Sequence, residues 1–117
     1  MCRVIVVDDN PEHVKIATRV LSARGDDVQG FCDPFLALAA AIDESPDVVL
    51  VDRFMPLMDG TRLIKEMKKA GVHSKFILIS ASVDLGDRAE IRNGMVDGLL
   101  QKPVDNEVLY REIHAVL

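Results

Sequence analysis

No block of Lys or Arg runs through this chain, no apolar stretch approaches bilayer-spanning length, and its two cysteines stand apart from any metal-binding spacing. Each absence excludes a class of function. Binding to nucleic acid or to a membrane surface depends on clustered positive charge, and here 14 Lys and Arg face 19 Asp and Glu for a net charge of −5. Direct nucleic-acid and membrane partners are therefore not expected. Cys2 and Cys32, with apolar neighbours and no CxxC or Cys/His pattern, read as two reduced thiols, which sets aside a thiolate metal site. The N-terminus offers only Val4 to Val7 before Asp8, far short of a signal h-region, so a cytoplasmic location is expected. Aromatic residues make up only 4% of the chain and Trp is absent. Repeats, linkers and low-complexity segments are also missing. What is present is 49% apolar residues in 117, enough for one domain that buries roughly two-thirds of its unfolded surface.

Short apolar runs alternate with amphipathic segments five times. Arg3 to Val7 (RVIVV), Val48 to Val51 (VVLV) and Phe76 to Ile79 (FILI) are continuous and rich in β-branched residues, as strands buried on both faces of a parallel sheet are. Val28 to Cys32 (VQGFC) and Gly98 to Gln101 (GLLQ) are interrupted by glycine or polar residues, which suits sheet edges. Between the strands, four buried helical stripes are expected: Val14, Ala17, Val20 and Leu21; Phe35, Leu38, Ala39 and Ile42; Leu63, Ile64 and Met67; and Leu109, Ile113 and Val116. Asp33-Pro34 and Asp59-Gly60 mark helix starts, and Gly25, Gly71 and Gly94 mark helix ends. From Ser82 to Asn93 the pattern is poorest, with only Leu85, Ala89 and Ile91 to bury, so the fourth helix should be the loosest. Five βα units with right-handed crossovers give an α/β fold, a doubly wound five-stranded parallel sheet of order 2-1-3-4-5, as in flavodoxin-like proteins.

In such a sheet the ligand site lies at the carboxyl ends of the strands. After the first strand come Asp8 and Asp9, after the third Asp52, after the fourth Ser80 and Ala81, and after the fifth Lys102 and Pro103. Taken singly, each has an ordinary use: Asp8 to Pro11 as a helix cap, Asp52 as a turn residue. Together they place three carboxylates, a hydroxyl and an amine at one edge. Like charges about 4 Å apart repel by several kcal/mol even at an effective dielectric near 20, so the carboxylates need a compensating cation. Hard oxygens on separate loops suit Mg²⁺ better than Ca²⁺ or Zn²⁺. With Lys102 alongside, the site has positive charge to spare for an anion such as a phosphoryl group.

Over essentially all 117 residues the chain resembles the receiver domains of two-component response regulators (the CheY-like fold), on the motifs VVDDNPE, VLVDRFMPLMDG, LISAS and LLQKP in that order. The resemblance implies a single receiver domain over 1–117. It implies that Asp52 accepts a phosphoryl group from a phosphohistidine on a sensor histidine kinase or histidine phosphotransfer protein. Asp9 would ligate Mg²⁺ directly and Asp8 largely through water, with the Asp52 carboxylate and the Phe54 backbone carbonyl completing the protein's share. Lys102 would pair with phosphoryl oxygens, while the Ser80 hydroxyl and Ala81 amide follow the phosphoryl group, and Lys102-Pro103 would be cis. The output would be a changed binding surface for a downstream protein target or an attached effector domain, so the chain is expected to be a signalling domain and not a turnover enzyme. A chain ending inside an amphipathic pattern at Val116-Leu117 suits a stand-alone receiver or one trimmed before an effector.

Two positions depart from the family pattern. Leu99 stands three residues before the lysine where an aromatic switch residue is usual, and Phe54 stands two residues after the acceptor, near the path of attacking water. A ring leaning over that path would slow hydrolysis. His13, His73 and His114 are expected on the surface away from the strand ends, and Tyr110 half-buried on the last helix. Three other functions fit less well. An aspartyl phosphatase wants an acid where Phe54 stands, and a flavodoxin-like electron carrier wants a hydroxyl- and glycine-rich loop where Asp8 and Asp9 stand. A receiver-like binder without phosphorylation would not need the complete acceptor set.

Overall fold

The computed structural model describes residues 2–81 and 85–117. Strands and helices alternate along them: β1 (Arg3–Val7), α1 (Pro11–Ser22), β2 (Asp27–Phe31), α2 (Pro34–Glu44), β3 (Val48–Asp52), α3 (Gly60–Lys69), β4 (Lys75–Ser80), α4 (Leu85–Arg92), β5 (Gly98–Gln101) and α5 (Asn106–Ala115). The strands form one parallel sheet in the expected order, β2-β1-β3-β4-β5. β1, β3 and β4 are buried almost throughout, whereas β2 and β5 carry exposed positions as edge strands do.

Alternation along the strands divides the core in two. Ile5, Val7, Val49, Val51, Phe76 and Leu78 face α2 and α3, against Ala37, Ala41, Leu63, Ile64 and Met67. Val4, Val6, Val48, Leu50, Ile77 and Ile79 face α1 and α5, against Ala17, Leu21, Leu109 and Ile113. The punctuation falls as expected. Asp33 and Asp59 cap α2 and α3 by accepting the N–H of Phe35 and of Thr61, each at 2.8 Å. Gly25, Gly71 and Gly94 follow helices at φ of 95°, 89° and 81°, a left-handed backbone that glycine adopts without strain. Among the described residues no helix is long and apolar enough to cross a membrane.

Four expectations need correction. On α2 the buried stripe is Ala37 and Ala41 with Leu38 partly covered, while Ala39 is exposed and Phe35 and Ile42 are 55% and 50% exposed. A helix reading PFLALAAAI has no polar stripe to set its rotation, and close approach to the sheet and α3 selects the small alanines. β2 begins at Asp27 and stops at Phe31, one residue earlier than expected. Here α1 crosses closely, because a Cβ on Gly30 would stand 2.3 Å from Val14 Cγ1. Cys32, just past that strand, is exposed, although both cysteines are free as expected. Of the residues expected to anchor α4, Ala89 is half-buried and Ile91 is exposed, while Ser82 to Asp84 and the Leu85 side chain lie outside the described residues. The fourth correction concerns two histidines and belongs to the site and to the opposite end of the sheet.

Candidate functional site

Parallel register brings the strand ends level. Val7 pairs with Val51, Asp52 with Ile79, and Ser80 with Gln101, so Asp8, Asp52, Ser80 and Lys102 emerge side by side. The loops behind them are pinned by backbone bonds: Asp8 N–H to Phe31 O at 3.1 Å, Arg53 N–H to Ile79 O at 2.7 Å, and Lys102 N–H to Ser80 O at 2.9 Å. After Asp52 the chain folds back on itself. Gly60 donates its N–H to Arg53 O at 2.7 Å, and a Cβ there would stand 2.3 Å from the Asp52 carbonyl oxygen. Only glycine permits that approach.

One carboxylate oxygen from each of Asp8, Asp9 and Asp52 lies within 4.8 Å of the other two. Asp8 and Asp52 are each 6% exposed, and Asp9 is open to solvent. The Lys102 ammonium donates to Asp8 Oδ2 at 3.0 Å and lies 3.3 Å from Asp52 Oδ1. One cation does not satisfy three carboxylates. Burial first, and then the Asp8 charge, push the Asp52 carboxyl above the ordinary carboxylate range to about 6, even though Lys102 pulls the other way. Burial lowers the Lys102 ammonium, but its hydrogen bond to Asp8 and the charges of Asp8 and Asp52 outweigh that and leave it raised. These are the electrostatics of a site short of positive charge, and three convergent oxygens suit a hard divalent cation.

All the strand-end residues singled out in the sequence are brought to this edge, Ser80 fully buried and Ala81 exposed beyond it. Lys102-Pro103 is cis. Phe54 projects outward, 59% exposed, with the Arg53 guanidinium 5.3 Å from its ring centroid. Leu99 is half-buried against the core that α2 and α3 cover. Sequence reasoning missed His13. Its Nδ1 stands 3.2 Å from both Asp8 Oδ2 and Lys102 Nζ, and its Nε2 lies 3.4 Å from Asn10 Nδ2. Asn10 Oδ1 accepts the Glu12 N–H, which caps α1 and turns the amide nitrogen toward the imidazole. Nδ1 donates to Asp8 in one neutral tautomer or accepts from the Lys102 ammonium in the other, and either keeps the imidazole against Asp8. The signal was available, since a helix starting at Pro11 puts residue 13 in its first turn, beside the end of β1.

The family profile of the response regulator receiver domain matches residues 4–114. The chain belongs to the response regulator receiver domain family. This receiver is 32% identical over 120 residues to Protein PilH of Pseudomonas aeruginosa, covering 100% of the chain and 98% of PilH. It is 31% identical over 116 residues to Response regulator PleD of Caulobacter vibrioides, covering 97% of the chain but only 26% of PleD. The receiver thus spans about a quarter of one relative and nearly all of another. Among solved structures, chemotaxis protein CheY4 of Vibrio cholerae superposes with a TM-score of 0.91 at 25% identity, covering 100% of this chain and 99% of CheY4. The receiver domain of the Francisella response regulator 1452 superposes at 0.90 with 24% identity, covering 99% and 96%, a likeness of fold alone.

Proposed function

We propose that this receiver takes a phosphoryl group onto Asp52 from a phosphohistidine on a sensor histidine kinase or histidine phosphotransfer protein, in the presence of Mg²⁺. The single observation that carries this reading is the convergence of three carboxylates, two of them sharing one ammonium, with the Asp52 carboxyl pushed up to about 6. That charge deficit is what a divalent cation and then a phosphoryl group require. Asp8, Asp9, Asp52 and the Phe54 carbonyl would hold Mg²⁺. When bound, the ion neutralises the carboxylates and acts as a Lewis acid toward phosphoryl oxygens.

The rest of the chemistry falls to the chain. An Asp52 carboxylate oxygen bonds to phosphorus as the phosphorus–nitrogen bond breaks, and the electron pair of that bond stays with the donor imidazole. Lys102, released from Asp8 and Asp52, pairs with the transferred oxygens. Catalysis here is positioning plus electrostatics, with the loops pinned before the donor arrives. His13 is a positioning residue that holds the Asp8 carboxylate in place.

The Ser80 hydroxyl and Ala81 N–H follow the phosphoryl group and carry the change toward α4 and β5, altering the surface offered to a downstream protein or an attached effector. With Leu99 in the usual aromatic place, that relay works without a ring flip. In this reading the domain is a switch and not a turnover enzyme. Intact mass after incubation with acetyl phosphate tests it: wild type with Mg²⁺ should gain one phosphoryl group, and Asp52→Asn should gain none. Equal uptake by that variant would refute the acceptor assignment.

A further inference from the structure

Charge on this molecule is unevenly placed. Residues 60–75 carry five Lys or Arg against one Glu, a net +4, which leaves nine against eighteen, a net −9, over the rest of the chain. The positive charge is concentrated on α3. Its inner face buries Leu63, Ile64 and Met67, while Arg62, Lys65 and Lys69 fall at i, i+3 and i+7 along the exposed face. Lys68 bends across to the turn after α4, donating to Gly94 O at 3.1 Å and Met95 O at 2.8 Å. The result is a shallow groove of about 600 Å³ walled by Arg62, Lys65, Glu66, Lys68, Lys69 and the half-buried Met95.

Compensation of the α3 dipole accounts for Lys68 and Lys69 in the last turn, but not for Arg62 and Lys65 further back. Arg62 is partly engaged by Glu66 at 3.1 Å, and Lys65 and Lys69 stand exposed in line with it. We propose that this face docks an acidic segment of a partner protein, whose carboxylates meet Lys65, Lys69 and Arg62 and whose one apolar side chain meets Met95. Charge complementarity favours a short acidic protein segment over nucleic acid. The ten residues of α3 span about 15 Å and the rest of the chain carries a net −9, so a longer polyanion would find little further positive charge to meet beyond this helix. None of the groove's walls belongs to the phosphoacceptor site.

The test is fluorescence anisotropy with a labelled synthetic peptide bearing glutamates at every third or fourth position and a single leucine, together with amide shift mapping on the full chain. The peptide should bind, perturb amides at 62–69 and 93–95, and lose about tenfold in affinity to Lys65→Glu combined with Lys69→Glu. The milder Lys65→Gln with Lys69→Gln should lose less and guards against misfolding, and Lys15→Glu on α1 should bind as wild type does. Affinity in the double charge reversal within twofold of wild type would overturn the proposal. So would tighter binding of a short single-stranded DNA than of the peptide, or self-association of the chain that the same substitutions abolish.

Discussion

At the amino ends of the strands, Asp26, Asp47 and Asp97 each accept a backbone N–H from a strand start: Cys2 at 3.3 Å, Arg3 at 2.8 Å and Phe76 at 2.9 Å. At the carboxyl ends, Asp8, Asp9 and Asp52 crowd together, and Asp8 and Asp52 share one lysine. Asp26 also takes His114 Nε2 at 3.0 Å, so this histidine is half-buried in a structural pair and not free on the surface. The thiol nearby follows the same logic. Burial, then Asp26 and Asp47, push Cys2 up to about 11, and it stays protonated. One fold thus uses the same side chain in opposite ways. Aspartates at the amino end tie strands down by accepting hydrogen bonds, and those at the carboxyl end are held close enough to repel one another.

The comparison is sharpened most by Gly60→Ala. The added methyl must displace the Asp52 backbone, and a loss of about 3 kcal/mol in urea unfolding is expected. Next, the two ends should respond with opposite sign to the same change. Asp26→Asn weakens satisfied hydrogen bonds at a buried position and should cost about 2 kcal/mol. Asp52→Asn removes a repelled charge and should stabilise the metal-free protein at pH 7.5 by about 1 kcal/mol, after allowance for solvent screening on the open side of the site. Loss of stability in both variants would break the comparison.

The pH dependence follows from the same asymmetry. With its folded-state carboxyl raised to about 6, Asp52 binds its proton more tightly folded than unfolded. Its contribution is therefore most favourable at low pH and is lost as pH rises from about 4 through about 6. Wild type without metal should show this decline in melting temperature relative to Asp52→Asn, and saturating Mg²⁺ at pH 7.5 should restore the loss. A smaller effect is expected at His13. If it holds Asp8 for the metal, His13→Ala should weaken Mg²⁺ binding by roughly tenfold in titration calorimetry while Asp52 still accepts phosphate at saturating Mg²⁺. His13→Asn, which retains a donor, should recover part of the affinity.

The sheet order was legible because three runs are apolar on both faces and two are not, and the strand-end residues were legible because each directly follows its run. Two things were not. The rotation of α2 has no polar stripe to announce it, so packing of Ala37 and Ala41 decided it. The amino-end ties join residues 24, 44 and 21 positions apart, and no local pattern signals such pairs. His13 falls between these cases. Its helix position was readable, but its aim at Asp8 depends on Asn10 turning inward as the cap.

The most direct test of the central claim is to trap the modified residue. After phosphorylation by a phosphohistidine donor, borohydride converts an aspartyl phosphate to homoserine, and peptide mass mapping locates it. The account predicts homoserine at position 52 with Mg²⁺ and none when the metal is chelated. Homoserine at position 8 or 9, or the same yield at 52 without metal, would contradict it.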